Sequence, residues 1–183
     1  MADDPLPWKR VRTGERREHQ VLRIGEDVFA DPRDGTERSR VIIEADDWCN
    51  VVPVTRDDRV VMVKQFRFGT REISLEFPGG IVDRGEDPAR TAARELEEET
   101  GYRPGRMTAL GGYSPNPAHF TNRVHAFIAF DCEPAHDGTP DEGEDLRIHL
   151  VPRAALRTLA AEGKIANAMH IATLALAMLE GHL

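Results

Sequence analysis

Eight consecutive residues, Arg94-Glu95-Leu96-Glu97-Glu98-Glu99-Thr100-Gly101, constrain this chain more than any other segment. Asp87 suits an N-cap and Pro88 the first helical position, where no amide donor is needed. Gly101 suits the position after the last turn, where a positive φ is common. A helix over Pro88–Thr100 follows, with Ala89, Ala92, Ala93 and Leu96 as a narrow apolar stripe. On that helix Glu95 and Glu99 are one turn apart and face the same way, a like-charge spacing that costs a few tenths of a kcal/mol. Both lie at the edge of the stripe, where they are partly sheltered. Glu97 and Glu98 crowd further carboxylates nearby, and Arg94 is spaced to pair with Glu98. A solvated acidic face is the ordinary fate of such a run. A hard divalent cation is the alternative that offsets the crowding. Magnesium in particular prefers carboxylate oxygens and keeps waters that leave room for a phosphate substrate.

The residues before the helix favour the cation. Phe77-Pro78-Gly79-Gly80 ends a strand-like run, and Gly80 begins the spacing G-x5-E-x7-R-E-L-x-E-E-x-G-Y. Its fixed members are Gly80, Glu86, Arg94, Glu95, Leu96, Glu98, Glu99, Gly101 and Tyr102. This resembles the Nudix box, the signature of the Nudix hydrolases, with no departure. The resemblance implies a loop-helix-loop holding magnesium or manganese against a pyrophosphate. The expected ligands are Glu95, Glu98, Glu99 and the Gly79 carbonyl, with Arg94 orienting the glutamates and Glu86 bracing the loop or touching a metal. The implied reaction is attack of water on phosphorus in a nucleoside diphosphate linked to another group.

Turn and periodicity signals lay out the rest. Strands are expected near Gln20–Phe29 and Arg38–Glu44, around the turn Asp31–Gly35. Further strands are expected over Cys49–Thr55, Arg59–Phe68, Ser74–Phe77, Met107–Tyr113, Arg123–Asp131 and Leu146–Val151. Helices are expected over Pro152–Glu162 and Asn167–Leu179, the last apolar on most sides and so buried against a sheet or a partner. The class is α/β. The resemblance makes it the Nudix fold, an α/β/α sandwich with a mixed sheet, preceded by an N-terminal antiparallel β-strand subdomain. The expected division is residues 1–45 and 46–183. The first segment has few residues with which to fill a core of its own.

The chain of 183 residues carries 32 acidic against 24 basic side chains, which argues against nucleic acid or a membrane surface as its main partner. A bound cation reverses the local field, so the acidity does not forbid an anionic substrate. Cys49 and Cys132 have neither metal-ligand nor redox spacing and read as reduced structural thiols. The start, MADDPLPWKR, has no apolar signal region, and no apolar run reaches membrane-spanning length, so a cytoplasmic protein is expected.

Flanking residues narrow the substrate. Val63-Lys64-Gln65-Phe66-Arg67 followed by Glu76-Phe77-Pro78-Gly79-Gly80 is similar to the pattern of ADP-ribose and nucleotide-sugar pyrophosphatases. By that resemblance Gln65, Arg67 and Glu76 face the substrate, with Arg67 as a two-donor fork for phosphate. Asp141-Glu142-Gly143-Glu144-Asp145 resembles the acidic loop of the same subfamily. There the first glutamate positions the attacking water, which makes Glu142 the base, and the second approaches the metal, which makes Glu144 an additional ligand. A mobile loop from Glu133 to Asp145 suits that task. Gly163-Lys164-Ile165-Ala166-Asn167-Ala168 and the N-terminal strands also resemble this subfamily, whose strands swap in a homodimer. One segment departs. Where ADP-ribose enzymes carry Ser-Pro-Gly and a glutamate, this chain has Ser114-Pro-Asn-Pro-Ala-His-Phe-Thr-Asn122, offering His119 and Asn122 as donors. The departure favours a nucleoside diphosphate sugar, cleaved to a nucleoside monophosphate and a sugar 1-phosphate. ADP-ribose hydrolysis is the alternative, and a non-enzymatic nucleotide-sugar sensor a weaker one. Trp48, Phe66 and Phe68 are candidates for stacking on the base, with core packing expected for at least two.

Overall fold

The computed structural model of the protein describes residues 4–139, 143 and 145–183. They form two compact units, one taking the chain up to Asp46 together with Ser114–Asn122, the other Asp47–Tyr113 with Arg123–Leu183.

In the first unit β1 (Lys9–Arg12), β2 (Arg16–Glu18), β3 (Leu22–Ala30) and β4 (Glu37–Ala45) make a four-stranded antiparallel sheet. β3 is central, with β1 and β2 on its two ends and β4 along its whole length. What is buried here is mostly charge. Among the described residues of this unit Val28 is the one buried apolar side chain, whereas Asp27 and Asp31 are fully enclosed. Asp27 accepts hydrogen bonds from Arg16 (2.8 Å), the Gly14 amide (3.1 Å) and Arg10 (3.2 Å). The Arg16 bond pulls its carboxyl down to about 2. Ser114–Asn122 joins the unit through a parallel bridge of Phe120 to Ile43, with Ile43 N–H donating to His119 O and Thr121 N–H to Ile43 O. The expected boundary at residue 45 therefore misses this loop, which sequence order places in the middle of the other unit.

The second unit comprises β5 (Trp48–Thr55), β6 (Arg59–Arg67), β7 (Glu72–Glu76), α1 (Pro88–Thr100), β8 (Tyr102–Arg103), β9 (Arg106–Tyr113), β10 (Val124–Pro134), β11 (Arg147–Pro152), α2 (Leu156–Ala161) and α3 (Ala168–Leu179). β5 and β10 run parallel, and the remaining pairs are antiparallel. Side chains alternate across β5. Cys49 and Val51 pack with Ala92 and Leu96 of α1, while Val52 and Val54 pack with Leu156 of α2 and Leu174 and Ala177 of α3. Helices thus cover both faces of a mixed sheet, the expected sandwich. The expected helix over Pro152–Glu162 is shorter, a 3-10 turn at Arg153–Ala155 running into α2. Burial pushes the thiols of Cys49 and Cys132 up to about 12, in keeping with inert structural cysteines. Core packing does not claim Phe66 and Phe68. Both are exposed and meet edge to face at 5.4 Å.

Candidate active site

α1 is built by its caps as its sequence requires. Asp87 accepts from the Ala89 amide at 2.9 Å, Pro88 opens the first turn, and Gly101 closes the last at φ +71°, donating to Glu97 O. Burial of Leu96 against β5 then turns Glu95 and Glu99 toward the Phe77–Gly80 loop. Val51 N–H donates to Pro78 O at 3.0 Å and Cys49 N–H to Gly80 O at 2.9 Å, which straps the loop along β5. Gly79 N–H donates to Glu99 Oε2 at 3.1 Å. The two glycines are needed for different reasons. A Cβ on Gly79 would meet Cys49 O at 2.1 Å, a backbone clash, whereas one on Gly80 would meet the Glu95 carboxylate at 2.5 Å.

The remaining carboxylates gather on Arg94. Its guanidinium lies 2.7 Å from Glu98, 3.0 Å from Glu95 and 3.5 Å from Glu86. Burial disfavours its charge, and these partners outweigh that, so it is held protonated more firmly than an ordinary arginine. A hydrogen bond from Thr91, reinforced by Arg94, lowers the Glu86 carboxyl. Glu97 stands apart from the cluster. It pairs with Arg103 (2.6 Å) and His136 (3.1 Å), and the Arg103 bond brings it to about 2. Among the described residues no three His, Cys, Asp or Glu side chains close on a common point as metal ligands. Glu95 and Glu98 instead lie against the Arg94 guanidinium, at 3.0 and 2.7 Å. The donor set still suits a hard divalent ion. It offers partly sheltered carboxylate oxygens beside a glycine whose missing Cβ leaves Glu95 its place.

The expected substrate residues behave differently. Arg67 does not present an open fork. Its Nε and Nη2 donate to Glu76 at 2.9 and 2.5 Å. Glu76 is 1% exposed and also meets His170 Nε2 at 2.9 Å, so it braces Arg67 and α3 instead of facing a substrate. Burial works against its charge, and the bonds from His170 and Arg67 outweigh it, holding the carboxyl well below the usual range. Gln65 is half-buried on β6 opposite Ser74. His119 and Asn122 belong to the first unit. His119 Nδ1 is 3.2 Å from Val41 O, and Asn122 Nδ2 donates to Asp46 O at 3.1 Å, so both fasten their own loop. Glu142 and Glu144 lie outside the described residues. His170 was not foreseen. Its signal is a lone imidazole in the run of α3, which is otherwise apolar except for Thr173.

Comparison with known proteins gives the family and the fold. Residues 49–171 match the NUDIX domain. The chain is similar to an ADP-ribose pyrophosphatase of Bacillus subtilis, 37% identical over 95 residues, covering 52% of this chain and 51% of that protein. It is also similar to an ADP-sugar pyrophosphatase of Mus musculus, 33% identical over 114 residues, covering 56% and 52% of the two chains. The chain thus spans about half the length of these curated relatives. A crystal structure of an ADP compounds hydrolase superposes over 100% of both chains with a TM-score of 0.84 at 21% identity, a likeness of fold.

Proposed function

Because this chain belongs to the NUDIX-domain family, we propose that it hydrolyses the pyrophosphate of a nucleoside diphosphate sugar, giving a nucleoside monophosphate and a sugar 1-phosphate. The observation that carries the reading is the seating of Glu99 on the Gly79 amide and of Glu95 against Gly80, which joins the box helix to its loop. Glu95, Glu98, Glu99 and the Gly79 carbonyl would hold magnesium or manganese, with Glu144 as a further ligand. When bound, such an ion supplies charge neutralisation to the diphosphate and acidifies water. The chain's own residues do the rest. The Gly79 amide fixes the Glu99 carboxylate, and Arg94 collects Glu86, Glu95 and Glu98 on one guanidinium, so the glutamates are oriented before substrate arrives. Glu142 accepts the proton of the attacking water as its oxygen bonds to phosphorus and the P–O–P bridge breaks. The names of the relatives support an ADP-linked sugar, and one of them favours ADP-ribose as the second reading. The first unit pairs two copies by exchanging strands. This is supported by its near absence of buried apolar residues and by the exposure of Leu6, Val11, Val21 and Val41.

A panel of nucleotide sugars, ADP-ribose and nucleoside triphosphates, with magnesium or manganese, tests the proposal. Release of a nucleoside monophosphate and a sugar 1-phosphate from at least one hexose nucleotide, abolished by EDTA, is expected. Turnover of ADP-ribose alone selects the second reading, and turnover confined to triphosphates overturns both.

A further inference from the structure

Buried behind the box loop is a group to which the proposed reaction assigns no task. His170, 3% exposed, stands on the first turn of α3 and touches the loop's entry at two points. Its Nδ1 lies 3.3 Å from the Phe77 amide nitrogen, and its Nε2 lies 2.9 Å from Glu76 Oε2. An amide can only donate, so Nδ1 carries the lone pair and Nε2 the proton. The ring is therefore fixed as one tautomer, accepting from Phe77 and donating to Glu76. Glu76 is anchored a second time by the Arg67 fork. Two residues beyond Phe77, Gly79 N–H meets Glu99. The loop is thus tied at Phe77 to α3, at Pro78 and Gly80 to β5, and at Gly79 to α1. The β5 ties fix how the loop lies along the strand. The His170 tie acts where the chain leaves β7, two residues before the Gly79 amide that meets Glu99.

We infer that His170 is a positioning residue for the cation-binding loop: by accepting from Phe77 N–H and donating to Glu76, it sets the Gly79 peptide against Glu99. The inference rests on the proposed role of that loop. It assigns α3, which is remote in sequence from the box, a share in the reaction, and it requires the imidazole as an acceptor and not merely as a filler of space.

Two substitutions separate the contacts. In His170→Asn the side-chain oxygen replaces Nδ1 and keeps the Phe77 bond while Glu76 loses its donor. In His170→Gln the amide nitrogen replaces Nε2 and keeps Glu76 while the Phe77 bond is lost. Amide hydrogen exchange at Phe77 and Gly79 reads the strap itself without any activity. It should quicken by about tenfold or more in His170→Gln, the equivalent of one lost hydrogen bond, and much less in His170→Asn. Mn2+ affinity, measured by calorimetry without substrate, should fall about tenfold in His170→Gln alone. Its kcat should fall by about 10- to 100-fold with KM nearly unchanged. Equal effects of the two variants on exchange, or none, overturn the inference whatever the activity. Faster exchange in His170→Gln with unchanged Mn2+ affinity and kcat overturns the positioning role. A wild-type protein that binds no Mn2+ and turns over no nucleotide sugar removes the proposed function. The exchange data then still report whether the strap exists.

Discussion

Gly80→Ala is the most direct perturbation of the proposed site, because one methyl group acts on one carboxylate. The new Cβ would stand 2.5 Å from Glu95 Cδ and Oε1 and 2.8 Å from Oε2. Ordinary contact begins at 3.4 Å, so the carboxylate must retreat by about 0.9 Å. It can do so, since it is the far end of a flexible side chain that is 17% exposed. Misplacement of a catalytic group by about 1 Å costs on the order of 10²-fold in rate. The expected result is therefore a kcat lowered about 100-fold and a higher Mn2+ requirement, with the melting temperature shifted by no more than a few degrees. Gly79→Ala supplies the contrast. Its Cβ would lie 2.1 Å from Cys49 O, in the backbone of the buried strand β5, which cannot retreat. Overpacking of that kind costs about 3 kcal/mol, and this variant should lose stability first. Both are checked by steady-state kinetics across a manganese titration, beside thermal melts. A Gly80→Ala protein with the wild-type rate and metal requirement would show that Glu95 is not a ligand. An unfolded Gly80→Ala protein would show that the clash is not confined to a side-chain tip.

Two further outcomes follow from the paired charges. Glu76→Gln keeps the shape of the side chain but turns an amide group toward one of its two donors. Losing one charge-assisted bond costs about 2 kcal/mol, which lowers the melting temperature by about 4 to 8 °C for a chain of this size. An unchanged melt would mean that the Arg67–Glu76–His170 arrangement contributes nothing to stability. Acid should also unfold the protein early. Asp27 and Glu97 are held at about 2, and Glu76 is lowered as well, so the unfolded chain binds more protons than the folded one below about pH 4.5. Their contribution is fully present above that pH and is lost as pH falls toward about 2. Melts from pH 7 to pH 3 should be flat at first and then fall, and Asp27→Asn should flatten the fall. A melting temperature independent of pH down to 3 would refute the assignment.

What the sequence disclosed and what it withheld divide by the range over which each residue finds its partner. The helix α1 was legible to its ends, because Asp87, Pro88 and Gly101 act within one turn of themselves. The direction of Glu95 and Glu99 followed from their angle to Leu96, and so did the Arg94–Glu98 pair. Glu97 belongs to the same run yet turns away, since Arg103 and His136 lie on β8 and beyond β10, where no helical wheel reaches. Arg67 read as an open phosphate fork because its motif gives no sign that Glu76 is folded onto it. His170 lies 93 residues from Phe77 and 94 from Glu76, and only the packing of α3 on the sheet brings them together. The same holds for Ser114–Asn122, whose polar side chains suggested contacts to a sugar and instead fasten the loop to β4 and the residue after it. The sequence therefore named the groups able to bind an anion or a cation, and the fold decided which were already committed. Arg67, Glu76, His119 and Asn122 have polar atoms engaged with groups of this same chain, and Glu95 and Glu99, which face the glycine loop, are engaged there with Arg94 and the Gly79 amide. In the proposed reaction, recognition of the diphosphate would rest first on the glutamate helix and the cation proposed for it.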